Sequence, residues 1–105
     1  VSLPVGLTAE AVDELRDASA WYEERRVGLG LVFVAAVDRA VDRIARWPGA
    51  GVLVDGVDPQ LQVRRVPVER FPYSLAYVVG DDGVTVVAVV HGRRRPRYWV
   101  GRVEE

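Results

Sequence analysis

The sequence predicts an α+β domain in which a helical hairpin packs on one face of a small, mostly antiparallel sheet, in the order β-α-α-β-β-β. Three observations carry this expectation. Apolar residues recur at helical spacing from Val12 to Ile44, the period becomes two from Leu61 onward, and a loop holding Pro48, Gly49, Gly51, Gly56 and Pro59 separates the two regimes. A chain of 105 residues has room for one core, so residues 1–105 are read as a single domain.

The elements follow in order. Residues 1–7, VSLPVGL, are short and apolar, and Pro4 admits a strand there only at a sheet edge. Thr8 is a side-chain cap, Glu10 and Asp13 put negative charge in the following turn, and Val12, Leu15, Ser19 and Tyr22 share a stripe. A helix over about residues 9 to 26 is expected, with Trp21 and Tyr22 in the core and Glu23, Glu24, Arg25 and Arg26 in solvent. Val27-Gly28-Leu29-Gly30 breaks it; this Gly-x-Gly lacks the preceding strand and third glycine of a nucleotide-binding loop.

A second helix then buries Phe33, Val37, Ala40 or Val41, and Ile44, carries an Asp42–Arg46 pair, and stops at Pro48. Residues 61–66 alternate, Phe71, Tyr73, Leu75, Tyr77 and Val79 share one face, and VTVVAVVH at 84–91 is apolar on both faces, as a central strand is. Gly80-Asp81-Asp82-Gly83 is a hairpin turn, which accounts for the paired aspartates without a metal.

Half the residues are hydrophobic and 28% are charged, an ordinary globular balance. No run approaches the roughly 18 apolar residues of a membrane span, and no basic segment precedes Arg16, so a soluble, cytoplasmic protein without membrane association is expected. The absence of cysteine and the single histidine exclude disulfides, thiolate chemistry and multi-histidine metal sites. The formal net charge of -1 hides a polarity: residues 1–60 hold six arginines against ten acids, net -4, and residues 61–105 hold eight against five, net +3. All the basic residues are arginine, the better fork for phosphate and carboxylate oxygens.

The basic half culminates in HGRRRPRYW at 91–99. Together with WYEERRVGLG at 21–30, RIARWP at 43–48 and RFPYSLAY at 70–77, in this order and at these separations, the chain resembles the RelE/ParE superfamily of bacterial toxins from type II toxin-antitoxin pairs over nearly its whole length. The resemblance implies a small cytoplasmic toxin neutralised by a cognate antitoxin, with no cofactor. It also implies one of two targets: RelE-like toxins cut mRNA on the ribosome, and ParE-like toxins bind DNA gyrase and trap it on cleaved DNA.

Metal-independent RNA cleavage needs a proton acceptor, a proton donor and cations converging on one phosphate. The catalytic candidates are His91 and Tyr98 for proton transfer, with Arg93 and Arg94 as the clamp. Against this reading, Ser74 stands where the RelE-like pattern places a basic residue, and the chain has no lysine. Docking on gyrase asks less of the geometry. Arg64, Arg65, Arg70, Arg93, Arg94, Arg95 and Arg97 would line one edge of the sheet, with Tyr98 and Trp99 as aromatic anchors.

A bland reading stands beside both: arginines at a strand end as a solvated rim, His91 bonded to the backbone, Trp99 folded back over the sheet. The leading expectation is a ParE-like gyrase inhibitor acting by binding, the alternatives being a RelE-like endoribonuclease or a degenerate toxin that only binds antitoxin. Leu29, Leu31, Val32 and Val34 exceed the apolar content of one buried stripe and are the expected antitoxin contacts, unless that helix is buried on more than one side.

Overall fold

The computed structural model describes residues 2–104. Strand β1 (Val5–Leu7) leads through Thr8 into helix α1 (Ala9–Arg25), followed by α2 (Leu29–Arg46), β2 (Val52–Leu53), β3 (Arg64–Val68), β4 (Tyr73–Val79) and β5 (Val84–His91). The five strands form one sheet in the order β1-β5-β4-β3-β2, antiparallel except for the β1–β5 pair. The expected α+β architecture is therefore present, with one addition. The loop after α2 contributes the two-residue edge strand β2, paired to Arg64 and Arg65.

Local chemistry accounts for the helices. The Thr8 hydroxyl accepts from the Ala11 N–H at 3.2 Å and starts α1. Gly28, at φ 91°, takes the left-handed turn between the helices, and a Cβ on Gly30 would come within 2.7 Å of the Ser19 carbonyl, so glycine sets how closely α2 crosses α1. Asp42 and Arg46 pair at 3.2 Å. β1 is an edge strand, as Pro4 requires.

The core has two sides. Toward the helices, Phe33, Val37 and Ile44 pack on Leu75, Tyr77 and Val86. Tyr77 is fully buried with its hydroxyl satisfied: it donates to the Pro48 carbonyl at 2.7 Å and accepts from the Gly51 N–H at 3.1 Å. On the opposite face Val63, Ala76, Ala88 and Val90 are covered by Val57 from the β2–β3 loop and by Trp99 from the C-terminal segment. That second cover explains why β5 is apolar on both faces.

Two expectations are corrected. Trp21 is half exposed, because α1 presents Ala11, Ala18 and the edge of Tyr22 to the sheet and turns the indole toward solvent, where the Arg25 guanidinium lies 3.6 Å from a ring centroid. α2 is not buried on a second side: Leu31 and Val32 are exposed. Among the described residues no helix is long and apolar enough to cross a membrane.

Candidate functional site

The site lies at the end of the sheet where β5 finishes. Register decides which side chains meet there. Tyr77 pairs with Val86 and Ala76 with Ala88, so Val87 is an extra residue, a bulge that switches the alternation within β5. His91 consequently faces the helices with Val89 and Tyr73, and its parity with Val87 is broken. Its ring lies edge-on to Tyr73, centroids 4.9 Å apart, and its Nδ1 accepts from the Arg93 N–H at 2.9 Å. An acceptor at Nδ1 leaves the proton on Nε2, so in this arrangement the free nitrogen donates rather than accepts.

Two clefts meet at His91 and Arg94. The first, about 530 Å3, runs between α1 and the sheet end and is lined by Asp17, Trp21, Tyr22 and Tyr73. Burial raises the Tyr73 phenol above its ordinary pKa, and the neighbouring Tyr22 adds to the shift. The second, about 350 Å3, opens on the other side of the sheet and gathers Arg65, Ser74, Arg94 and Arg97 around His91. Arg97 reaches it from a left-handed backbone at φ 57° and lies across Gly56, where a Cβ would meet its Nε at 2.7 Å.

The seven arginines expected along one edge are thus distributed. Arg64 alternates with Arg65 onto the helix side of β3, beside Tyr77, and its Nη1 donates to the Gly51 carbonyl at 2.7 Å. Arg70 stands exposed in the β3–β4 turn at φ 70°. Arg93 and Arg95 are exposed in the loop after β5, and Arg65, Arg94 and Arg97 share the groove.

Trp99 requires a larger correction. It is only 2% exposed and belongs to the second core, so it is a cover for the sheet, the arrangement of the bland reading, and not an exposed anchor. Tyr98 is half-buried and committed: its hydroxyl donates to Glu14 Oε2, and the Arg94 guanidinium lies 4.0 Å from its ring centroid. Burial first, then the Glu14 carboxylate, push the phenol well above its usual range. Such a hydroxyl stays protonated and gives up its proton reluctantly, and that proton is already directed at Glu14.

Glu14 and Arg102 are the residues the sequence reading missed. Glu14 Oε1 accepts from the Val89 N–H and from Arg102 Nη1, each at 3.0 Å, and the same Nη1 donates to the Val87 carbonyl at 2.9 Å. Burial alone would raise the Glu14 pKa. The hydrogen bonds from Arg102, Tyr98 and Val89, with the Arg102 charge, outweigh it and hold the carboxyl below its ordinary value. A signal existed: Glu14 falls between Ala11 and Ala18 on the buried stripe of α1, and a carboxylate there requires a cation.

On the outer side of the helical hairpin, Leu31 and Val34 line a shallow groove of about 490 Å3 with Leu15, Ala20 and Gly30. Leu29 is half-buried, and Val32 is exposed outside this groove.

Residues 5–96 match a protein-family profile described as "ParE toxin of type II toxin-antitoxin system, parDE". Among solved structures, the chain is similar to one from the "Chromosomal ParDE TA system from P. aeruginosa", at 18% identity and a TM-score of 0.68, covering 86% of this chain and 96% of that one. No curated protein sequence matches the chain.

Proposed function

The chain belongs to the ParE toxin family of type II toxin-antitoxin systems, and from that premise we propose that it is a toxin inhibiting DNA gyrase by binding, neutralised in the cytoplasm by a cognate antitoxin. The observation that carries the reading is the contrast between available cations and the lack of a free proton acceptor among the candidate residues. Arg93, Arg94, Arg95 and Arg97 are exposed in the segment after β5, with Arg65 exposed on β3 in the same groove as Arg94 and Arg97, whereas the Tyr98 hydroxyl is bound to Glu14 and His91 Nδ1 to the backbone. Guanidiniums suffice for docking on a gyrase-DNA complex. Strand cleavage needs a free base as well.

The outer groove of the hairpin supports the antitoxin half of the proposal. Leu31 is 76% exposed and Val34 is half-buried beside it, an apolar surface suited to a segment of the antitoxin, with Leu29 and Val32 flanking it. Leu31→Asp is expected to weaken antitoxin binding at least tenfold, since it would bury an unpaired carboxylate at the contact, a cost of about 2 kcal/mol or more. Equal affinities for the two chains in a titration would refute the assignment.

One observation favours a second reading, mRNA cleavage: Arg65, Arg94 and Arg97 share their groove with His91 and the Ser74 hydroxyl. Brief expression followed by assays for covalent gyrase-DNA complexes and for codon-phased mRNA ends separates the readings. Adducts with intact mRNA are expected. Cut messages without adducts would overturn docking in favour of cleavage, and neither signal would mark a degenerate toxin that only binds antitoxin.

A further inference from the structure

β1 ends at Leu7, opposite Val86, so β5 runs on for five residues with no strand on that side. Thr8 continues the edge by donating its N–H to the Val86 carbonyl at 3.0 Å, and beyond it two side chains stand in for a strand. Arg102 Nη1 takes the Val87 carbonyl and Glu14 Oε1 takes the Val89 N–H. Glu14 and Arg102 also bind each other, with side chains 17% and 23% exposed. One further bond leaves this group: Tyr98 donates to Glu14 Oε2, which also accepts from Arg102 Nη2 at 3.2 Å.

Tyr98 closes the loop that carries Arg93, Arg94 and Arg95. The loop is otherwise held by few backbone bonds, among them Arg94 N–H to the His91 carbonyl at 3.0 Å and Tyr98 N–H to the Arg95 carbonyl at 3.3 Å. Its exposed arginines have no carboxylate partner among the described residues. The ring of Tyr98 is the surface on which Arg94 rests, 4.0 Å from the centroid. A flexible guanidinium loses conformational freedom when it docks, and a ring that holds it beforehand removes part of that cost.

We infer that Glu14, on α1, is a positioning residue for the arginine loop: acting through Tyr98, it holds Arg94 in the orientation in which the loop meets its target. The inference rests on the docking reading for its functional consequence but not for its structural content. Glu14 lines the first cleft beside Arg94, but its carboxylate is taken up by Tyr98, Arg102 and the Val89 N–H. Its effect reaches the surface through one hydroxyl, and the bond that transmits it is separable from the bonds that close the β5 edge.

The test uses the full chain carrying Glu14→Gln, Tyr98→Phe and Arg94→Ala, singly and combined. Tyr98→Phe is the variant that protects the test against misfolding, because it keeps the Glu14–Arg102–Val89 contacts and the ring and removes only the linking hydroxyl. Amide hydrogen exchange at residues 93–98 is expected to quicken about tenfold in Tyr98→Phe and in Glu14→Gln, the loss of one charge-assisted bond worth about 1.4 kcal/mol. Exchange in β4 and the α2 core is expected to stay as it is in Tyr98→Phe. A loop whose exchange is unchanged in Tyr98→Phe would overturn the inference.

Gyrase binding supplies the second readout. Both variants are expected to weaken it several-fold, and to weaken it no further once Arg94→Ala is present, because the positioned group is then gone. Full additivity with Arg94→Ala would also overturn the positioning role, since it would mean that Glu14 acts elsewhere. If Arg94→Ala itself leaves gyrase binding intact while the loop still loosens, the docking reading fails and the positioning of the loop stands.

Discussion

Replacing Trp99 by alanine separates the two roles the sequence allows it, docking anchor or sheet cover. The indole is 2% exposed and packed in a cluster with Val57, Val63, Ala76, Ala88 and Val90. A tryptophan buries roughly 200 Å2, which at about 25 cal/mol per Å2 is about 5 kcal/mol of transfer free energy as an upper bound. Partial relaxation around the vacated space brings the expected loss to about 3 to 4 kcal/mol. For a domain near 100 residues this lowers Tm by about 15 °C or more, out of a total stability of roughly 5–15 kcal/mol. Thermal and urea unfolding followed by far-UV circular dichroism measures it, with Trp99→Phe expected to recover more than half of the loss. A Trp99→Ala protein that melts within about 2 °C of the parent yet no longer binds its target would refute the packing argument and restore Trp99 as an anchor.

Stability is expected to fall with acid partly through Glu14. Its folded pKa is lowered from 4.5, so its contribution is present above that value and is lost as pH falls through the lowered one; pH-dependent urea midpoints of Glu14→Gln should be flatter than the parent's below about pH 5. Tyr77→Phe strands the Pro48 carbonyl and Gly51 N–H that the hydroxyl serves and is expected to cost about 2 kcal/mol in equilibrium unfolding. Gly30→Ala gains helix propensity of about 1 kcal/mol but forces a Cβ to within 2.7 Å of the Ser19 carbonyl; a net loss of about 1 kcal/mol in thermal unfolding is expected, and a rise in Tm would show that the hairpin opens without strain.

Much of the fold was legible because the chain signals its periods strongly. The α2 stripe of Phe33, Val37, Ala40 and Ile44 is buried as its spacing predicts, and the apolar run 84–91 is the longest strand, hydrogen-bonded on both sides over Val84–Val86. β2 was hidden because two residues, Val52 and Leu53, have no period to read. Trp21 misled because helical spacing from Ala18 gives a stripe and not its width: small residues bring α1 close to the sheet and leave the larger neighbour outside.

The site was legible in its residues and less so in its arrangement. HGRRRPRYW does supply His91, Arg94 and Arg97 to one groove, yet three physical facts rearranged the rest. Alternation sent Arg64 and Arg65 to opposite faces of β3, as a period of two requires. The Val87 bulge turned His91 to the helix side, which no count of parity could anticipate. Trp99 was drawn under the sheet because Val87, Ala88 and Val90 are apolar on the face the helices do not reach.

The length of β1 adds a further constraint at this end of the sheet. With three residues it covers β5 only as far as Val86, and the uncovered remainder must find partners for its backbone. Glu14 and Arg102 supply them, and because both are charged they also create the polar ground on which Tyr98, and through it the arginine loop, is fixed. A longer β1 would have closed that edge with backbone bonds and left no anchor for the loop. The end of the sheet that carries the exposed arginines is therefore the end that lacks a flanking strand, and α1 serves it by contributing one carboxylate in addition to its apolar face.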